Sequence, residues 1–366
     1  MKYIDEFRNS KLVGLWARKI AEITPEDQTV NLMEVCGTHT MSFFRFGLKS
    51  LLPPKIRLVS GPGCPVCVST QEYIDKAVAF TKDSSNIVVS FGDMLKVIGS
   101  VSSLEKERSR GSDIRVVYSP LESLEIARGH PGKNIVFLGV GFETTAPAIA
   151  LSLLHAEKER LKNFFILTSL KIMPPAMQAL AGDRRLNIQG FICPGHVSAI
   201  IGLSGYEAIA RRYKMSCVVA GFEPIDLLEA VYLLLKQKKE GRFGVENQYR
   251  RVVKRQGNRQ ALKIISRVFK VVDTEWRGLG IIKKSGLAIK ERYRRFDAAE
   301  NLAPSDYKPK GAPRSSGVCR CSEVLKGIIV PSECPLFGLK CNPNYPLGPC
   351  MVSLEGACNV YYRYER

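Results

Sequence analysis

The stretch IRLVSGPGCPVCVS, residues 56–69, joins a β-branched run, Ile56–Ser60, to a turn of Gly61, Pro62 and Gly63 and then to the C-x-x-C of Cys64 and Cys67. A short apolar run closed by turn residues reads as a strand. A C-x-x-C at a strand end beside a βαβ unit reads as a thioredoxin-like redox pair or half a metal site, since the N-terminus of a following helix lowers a thiol pKa. Gly61, Pro62, Gly63 and Pro65 describe an exposed turn here, which argues against two buried structural thiols. Upstream, VNLMEV (30–35) followed by CGTHT (36–40) repeats the arrangement, with a thiol, Cys36, and an imidazole, His39, three residues apart. Such a pair suits a shared metal or a nucleophile–base couple. In open α/β sheets ligands gather outside the carboxyl ends of strands, so Cys36, His39, Cys64 and Cys67 are expected to converge.

Working outward, further β-branched runs occur at Ile87–Ser90, Ile114–Val117, Ile135–Gly139, Phe164–Thr168, Phe191–Cys193 and Cys217–Ala220, with room for a helix between them. That alternation is the pattern of α/β proteins with parallel sheets. Glycine-rich strand ends in both halves, GPGCPVC (61–67) and VGFETTAP (140–147), point to two sheets, and GHPGKN (129–134) punctuates the middle like a linker. The expected organisation is an N-terminal helix over 1–29, α/β domains over 30–130 and 131–230, and a C-terminal unit over 231–366. Within residues 4–23, Ile4, Phe7, Leu12, Leu15, Trp16, Ile20 and Ile23 fall at near-helical spacing. In the second half, Glu143 of GFETTAP offers a carboxylate for proton relay or for anchoring a histidine. His196 of PGHVS lies in the loop after another strand. Thr144 and Thr145 suit a helix N-cap.

No window approaches the roughly 20 consecutive apolar residues of a membrane-spanning helix, and the first residues have no apolar signal-peptide core. A cytoplasmic protein without a membrane role is expected. The formal charge is +19, and residues 231–300 hold 19 Lys and Arg against 7 Asp and Glu. With no helix-turn-helix, zinc-finger or RNP pattern there, a solvated basic face suited to an acidic protein is favoured over nucleic acid.

Eleven cysteines in a reducing compartment point to metal or redox chemistry rather than to a disulfide framework. Six of them, Cys319, Cys321, Cys334, Cys341, Cys350 and Cys358, crowd a Pro/Gly-rich tail that folds poorly without a staple. The spacing Cys319-x14-Cys334-x6-Cys341-x16-Cys358 lacks the tight pairs of zinc sites and suits an iron–sulfur cluster held by loops, with zinc as the alternative. Cys321 rivals Cys319 as first ligand, and Cys350 is an unligated neighbour.

CGTHT, GPGCPVC, FGDML (91–95), GFETTAP, PPAM (174–177), PGHVSAIIG (194–202), VAGFEP (219–224), VENQY (245–249), WRGLG (276–280), CPLFG–x2–CNP and MVSLEGAC occur in this order over nearly the whole chain, which thereby resembles the HypD hydrogenase-maturation family. Ile98, in FGDMLKVIGS, stands where that family is expected to have proline. The resemblance implies two similar Rossmann-like parallel α/β domains plus a third, mainly helical and loop-rich iron–sulfur domain. It implies a [4Fe-4S] cluster on Cys319, Cys334, Cys341 and Cys358, and iron handled at Cys36, Cys64 and Cys67. The implied role is assembly of Fe(CN)2CO with a HypC-like chaperone and a HypE-like cyanide donor for the hydrogenase large subunit. That is a cofactor-assembly factor with redox activity rather than a conventional enzyme. The rival reading is an iron–sulfur oxidoreductase acting on a small molecule; no G-x-G-x-x-G or P-loop supports it.

Overall fold

The computed structural model describes residues 4–302 and 319–365. Its strands are β1 (Val30–Glu34), β2 (Ile56–Ser60), β3 (Asn86–Ser90), β4 (Ile114–Val116), β5 (Asn134–Gly141), β6 (Phe164–Lys171), β7 (Gly190–Pro194), β8 (Ser216–Ala220), β9 (Val245–Asn247), β10 (Phe269–Trp276) and β11 (Gly280–Ile289). They form two sheets, in the orders β2-β1-β7-β8-β9 and β10-β11-β6-β5-β3-β4. The first is parallel throughout. The second is parallel across β6-β5-β3-β4 and antiparallel where β11 joins β6 and β10 joins β11. The fold is α/β, as the recurring β-branched runs predict.

The two sheets share a plan. In one, β1 leads outward to β2 and β7 leads the opposite way to β8; in the other, β3 leads to β4 and β5 leads the opposite way to β6. The orders β2-β1-β7-β8 and β4-β3-β5-β6 are therefore equivalent, and each sheet has one place where successive crossovers diverge, between β1 and β7 and between β3 and β5. The parallel strands β3–β6 of the second sheet lie in the chain between β2 and β7 of the first, and its β10 and β11 follow β9. Each sheet consequently takes strands from both sides of residue 131, and the sheets do not follow a 30–130 and 131–230 division. The GHPGKN segment is the turn between the helix Glu122–Gly129 and β5, inside one sheet.

Packing explains why the strands read as continuous apolar runs. On β1, Val30 and Leu32 face a core shared with Ile20, Phe43 and the helix Pro224–Lys239, while Met33, and Val35 just after the strand, face the core between the two sheets. That middle core also takes Val136 and Leu138 of β5, and the outer face of the second sheet packs Ile135 and Phe137 against the helix Ala146–Lys158. The N-terminal helix spans Ser10–Ile23 rather than 4–23. Asn9 is extended and its side chain accepts from the N–H groups of Lys11 and Leu12, so it starts a new helix after the turn Asp5–Arg8. Trp16 then packs edge-on against Tyr232, 5.3 Å between centroids.

The basic segment mixes helix and strand. Helix Arg259–Val268 is followed by the β10–β11 hairpin, turned at Gly278 and Gly280 with φ of +81° and +80°. Strand alternation is masked there because exposed positions carry Lys270, Val271, Lys283 and Lys284 alike. Lys236, Lys238 and Lys239 sit in the last turn of Pro224–Lys239, where cations complement the helix dipole.

Candidate functional site

Cys36 follows β1 and stands at the N-cap of the helix Gly37–Arg45 with extended backbone, φ −156° and ψ 126°. Its carbonyl accepts from the N–H groups of His39 and Thr40, at 3.0 and 3.2 Å. His196 follows β7 in the first turn of the helix Gly195–Ile201. Because β1 and β7 are neighbours whose crossovers diverge, their following loops flank the position at which α/β sheets form a crevice. Cys36 Sγ lies 3.9 Å from both ring nitrogens of His196 across it.

Phe222, just beyond β8, forms the wall. The His196 ring stacks on it with centroids 5.3 Å apart, and the His39 ring lies tilted against it at 4.9 Å. His39 Nε2 is 3.3 Å from Ala220 O, while His39 Nδ1 is buried without a partner among the described residues. Burial, then the neighbouring His196, pushes the His39 pKa down to about 3, and burial pushes His196 down to about 4. Both imidazoles are thus neutral at physiological pH. Burial, then the Glu355 carboxylate, pushes the Cys36 thiol up to about 12.

The GPGCPVC turn reaches the same place because Gly63 has no side chain. A Cβ there would stand 2.4 Å from Cys36 Cα. Cys64 and Cys67 are joined as a disulfide with Cα atoms 5.2 Å apart, and Cys64 caps the short helix Pro65–Val68. The turn is buried, contrary to the exposed turn its glycines and prolines suggest, because the segment around Pro349 covers it. Cys67 Sγ is 3.7 Å from Pro349 O.

That covering segment carries the residue the sequence reading missed. Glu355 Oε1 accepts from Thr38 Oγ1 at 2.8 Å, and its backbone O lies 2.1 Å from where a Gly37 side chain would begin. Phe222 was missed likewise. Both fall in motifs quoted for the resemblance, VAGFEP and MVSLEGAC, which was the only available signal.

Glu143 stands elsewhere, beyond β5 at the second sheet's divergence point. Its Oε1 accepts from Met173 N at 2.9 Å and its Oε2 is buried without a partner among the described residues. Burial pushes it up to about 7. No described contact joins it to Cys36, His39 or His196. Thr145 occupies the N-cap of Ala146–Lys158 without a side-chain capping bond.

The six C-terminal cysteines line one pocket with Val324, Leu336, Phe337 and Met351. Cys321 Sγ and Cys350 Sγ are 2.9 Å apart, and Leu347 N donates to Cys341 Sγ at 3.4 Å. Burial and then the adjacent Cys321 push Cys319 up to about 11, and burial raises Cys358. Sulfurs so crowded and desolvated do not ionise together unless a cationic centre compensates them, which is the condition a cluster meets. Cys193 and Cys217 belong to the middle core. No helix among the described residues is long and apolar enough to cross a membrane.

The HypD family model, described as the hydrogenase formation hypA family, matches residues 11–365. A hydrogenase maturation factor HypD of Rhodobacter capsulatus is 42% identical over 100% of this chain and 98% of its own length. The HypD of Escherichia coli K12 is 41% identical over 100% of this chain and 99% of its own length. HypD2 of Bradyrhizobium diazoefficiens is 40% identical over 100% and 97%. With a family model and full-length relatives in agreement, the chain belongs to the HypD family of hydrogenase maturation factors.

Proposed function

We propose that this maturation factor is a cytoplasmic scaffold on which the Fe(CN)2CO group is assembled, with a HypC-like chaperone and a HypE-like cyanide donor, before transfer to the hydrogenase large subunit. The observation that carries this reading is the contact of Cys36 with His196 across the crevice of the first sheet, backed by the Cys64–Cys67 disulfide.

Iron is the cargo here. Cys36 supplies a soft thiolate once its proton leaves, and neutral His196, at 3.9 Å, is the group in contact with the thiol to receive that proton. Phe222 packs against both imidazoles and orients them. Cys64 and Cys67 exchange two electrons in passing between disulfide and dithiol.

Cys319, Cys334, Cys341 and Cys358 would hold a [4Fe-4S] cluster, whose chemistry is one-electron transfer at low potential. Cys319 is favoured over Cys321 as first ligand because Cys321 is engaged with Cys350. Pro349, next to Cys350, abuts Cys67, so the cysteine pocket and the dithiol lie against each other.

The test is composition and company. Anaerobically isolated protein should contain about four iron and four sulfide per chain and should copurify with a small HypC-like partner. Zinc in place of iron, or no partner, would overturn the proposal.

A further inference from the structure

The loop that carries Phe222 is held from both sides. The N–H of Gly221 donates to Gln248 Oε1 and the N–H of Glu223 to Asp226 Oδ2, each at 3.2 Å, while the Glu223 carboxylate accepts from Arg8 of the N-terminal turn at 2.9 Å. Between this loop and the start of the His196 helix stands the Tyr249 ring. It meets Phe222 edge-on, 6.0 Å between centroids, and it fits only because both of its backbone neighbours lack a side chain. A Cβ on Gly195, the residue before His196, would lie 2.8 Å from the ring, and one on Gly221, the residue before Phe222, would lie 2.7 Å from its other side. Tyr249 is itself clamped. The Arg251 guanidinium lies 4.5 Å from its ring centroid and 3.8 Å from that of Phe7, and donates two hydrogen bonds, at 2.7 and 2.6 Å, to the fully buried Asp226. A planar fork that stacks on two rings while pairing with a buried carboxylate has little freedom to move.

We propose that Tyr249 is a positioning residue for the Cys36–His196 pair, with Arg251 as its brace. The contacts run from Asp226 through Arg251 to Tyr249, from Tyr249 to Gly195 and Phe222, and from Phe222 to the His39 and His196 rings. No described contact joins Tyr249 to Cys36, so it acts through the two elements it separates. By spacing them it sets where the His196 imidazole stands relative to the thiol 3.9 Å away. These contacts belong to the ring and not to the hydroxyl, so a phenylalanine suffices. An aliphatic side chain leaves the loop and the helix start room to shift, because a close-packed site relaxes when a ring is lost. The inference rests on the proposed function only in taking Cys36 and His196 as working partners, since the geometry itself is read without iron.

The test is NMR of the full-length protein with ring-labelled histidine at neutral pH, in which the four histidines report separately. His39 and His196 pack on Phe222, whereas His130 and His155 belong to helices of the second sheet and serve as internal references. Tyr249→Leu should shift the His39 and His196 signals and leave the other two in place, and Tyr249→Phe should restore the wild-type spectrum. Arg251→Lys keeps a charge for Asp226 but loses the planar stack, and should shift the same two signals by less. It carries the test if Tyr249→Leu does not fold. Leu153→Ala, a cavity in the outer core of the second sheet, should lower stability without shifting His39 or His196. Unmoved His39 and His196 signals in Tyr249→Leu, or equal movement of all four histidines, would overturn the positioning role. Wild-type signals in Arg251→Lys would overturn the brace. Iron is not needed for this measurement, so a negative result here and a failure of the iron-holding role of Cys36 are told apart.

Discussion

Replacing Glu143 by Gln should change how stability depends on pH. Glu143 is buried, accepts one hydrogen bond from Met173 N and has a second oxygen without a partner among the described residues. Its folded pKa is raised to about 7, above the ordinary 4.5. A carboxyl whose folded pKa is raised holds its proton more tightly in the native state. Its stabilising contribution is therefore complete below the unfolded pKa and is lost as pH rises through the folded value. Between about pH 5 and about pH 8 the wild-type protein should lose roughly 2–3 kcal/mol through this one group. The amide keeps an acceptor for Met173 N and does not titrate. At about pH 5 the variant should be no more stable than the wild type, since the protonated acid buries one unpaired O–H donor and the amide two unpaired N–H donors. Between about pH 5 and about pH 8 the Glu143→Gln variant should gain on the wild type by about that same 2–3 kcal/mol. Urea unfolding of both proteins at the two pH values, at fixed ionic strength, gives the comparison. Parallel pH profiles for wild type and Glu143→Gln would refute the burial argument.

Gly63→Ala should displace Cys36, because the new methyl would meet the Cys36 backbone at 2.4 Å. Thermal unfolding should show a midpoint lowered by several degrees, on the order of 1–3 kcal/mol for overpacking, and an unchanged midpoint would contradict the close approach. Cys341→Ala and Cys358→Ala should each remove the iron–sulfur chromophore and expose residues 319–365 to proteolysis, since folding and metal binding are coupled in such segments. Retained iron and sulfide would reject that ligand set. Cys319→Ala should lose the chromophore while Cys321→Ala keeps it, and optical spectra of the two variants decide between them.

What could be read from the sequence follows from locality. Ile56–Ser60 and Val30–Val35 announce strands because their neighbours in sequence are enough to define a buried run bounded by turn residues. The convergence of CGTHT with GPGCPVC was accessible for the same reason, as both follow parallel strands that turn out to be adjacent. Pairing between distant strands was not accessible. Nothing local in Phe191–Cys193 says that it joins β1 rather than β6, so the insertion of β3–β6 between two strands of the first sheet stayed hidden and GHPGKN passed for a linker. Glu355 reaches Thr38 from 317 residues away, and Phe222 becomes the wall of the crevice only once β8 is laid beside β7. In the hairpin, charged and aliphatic residues share the exposed face of β10 and β11, which erased the period-two signal.

The central claim is that Cys36 holds the iron on which cyanide and carbon monoxide are assembled, independently of the C-terminal cluster. The most direct measurement is infrared spectroscopy of metal-bound CO and cyanide stretches on the anaerobically isolated complex, alongside the cluster's optical spectrum, for wild type and for Cys36→Ala, Cys64→Ala and Cys67→Ala. The account predicts stretches in the wild-type complex and none in Cys36→Ala, with the cluster spectrum intact. Stretches at wild-type strength in all three variants would contradict it.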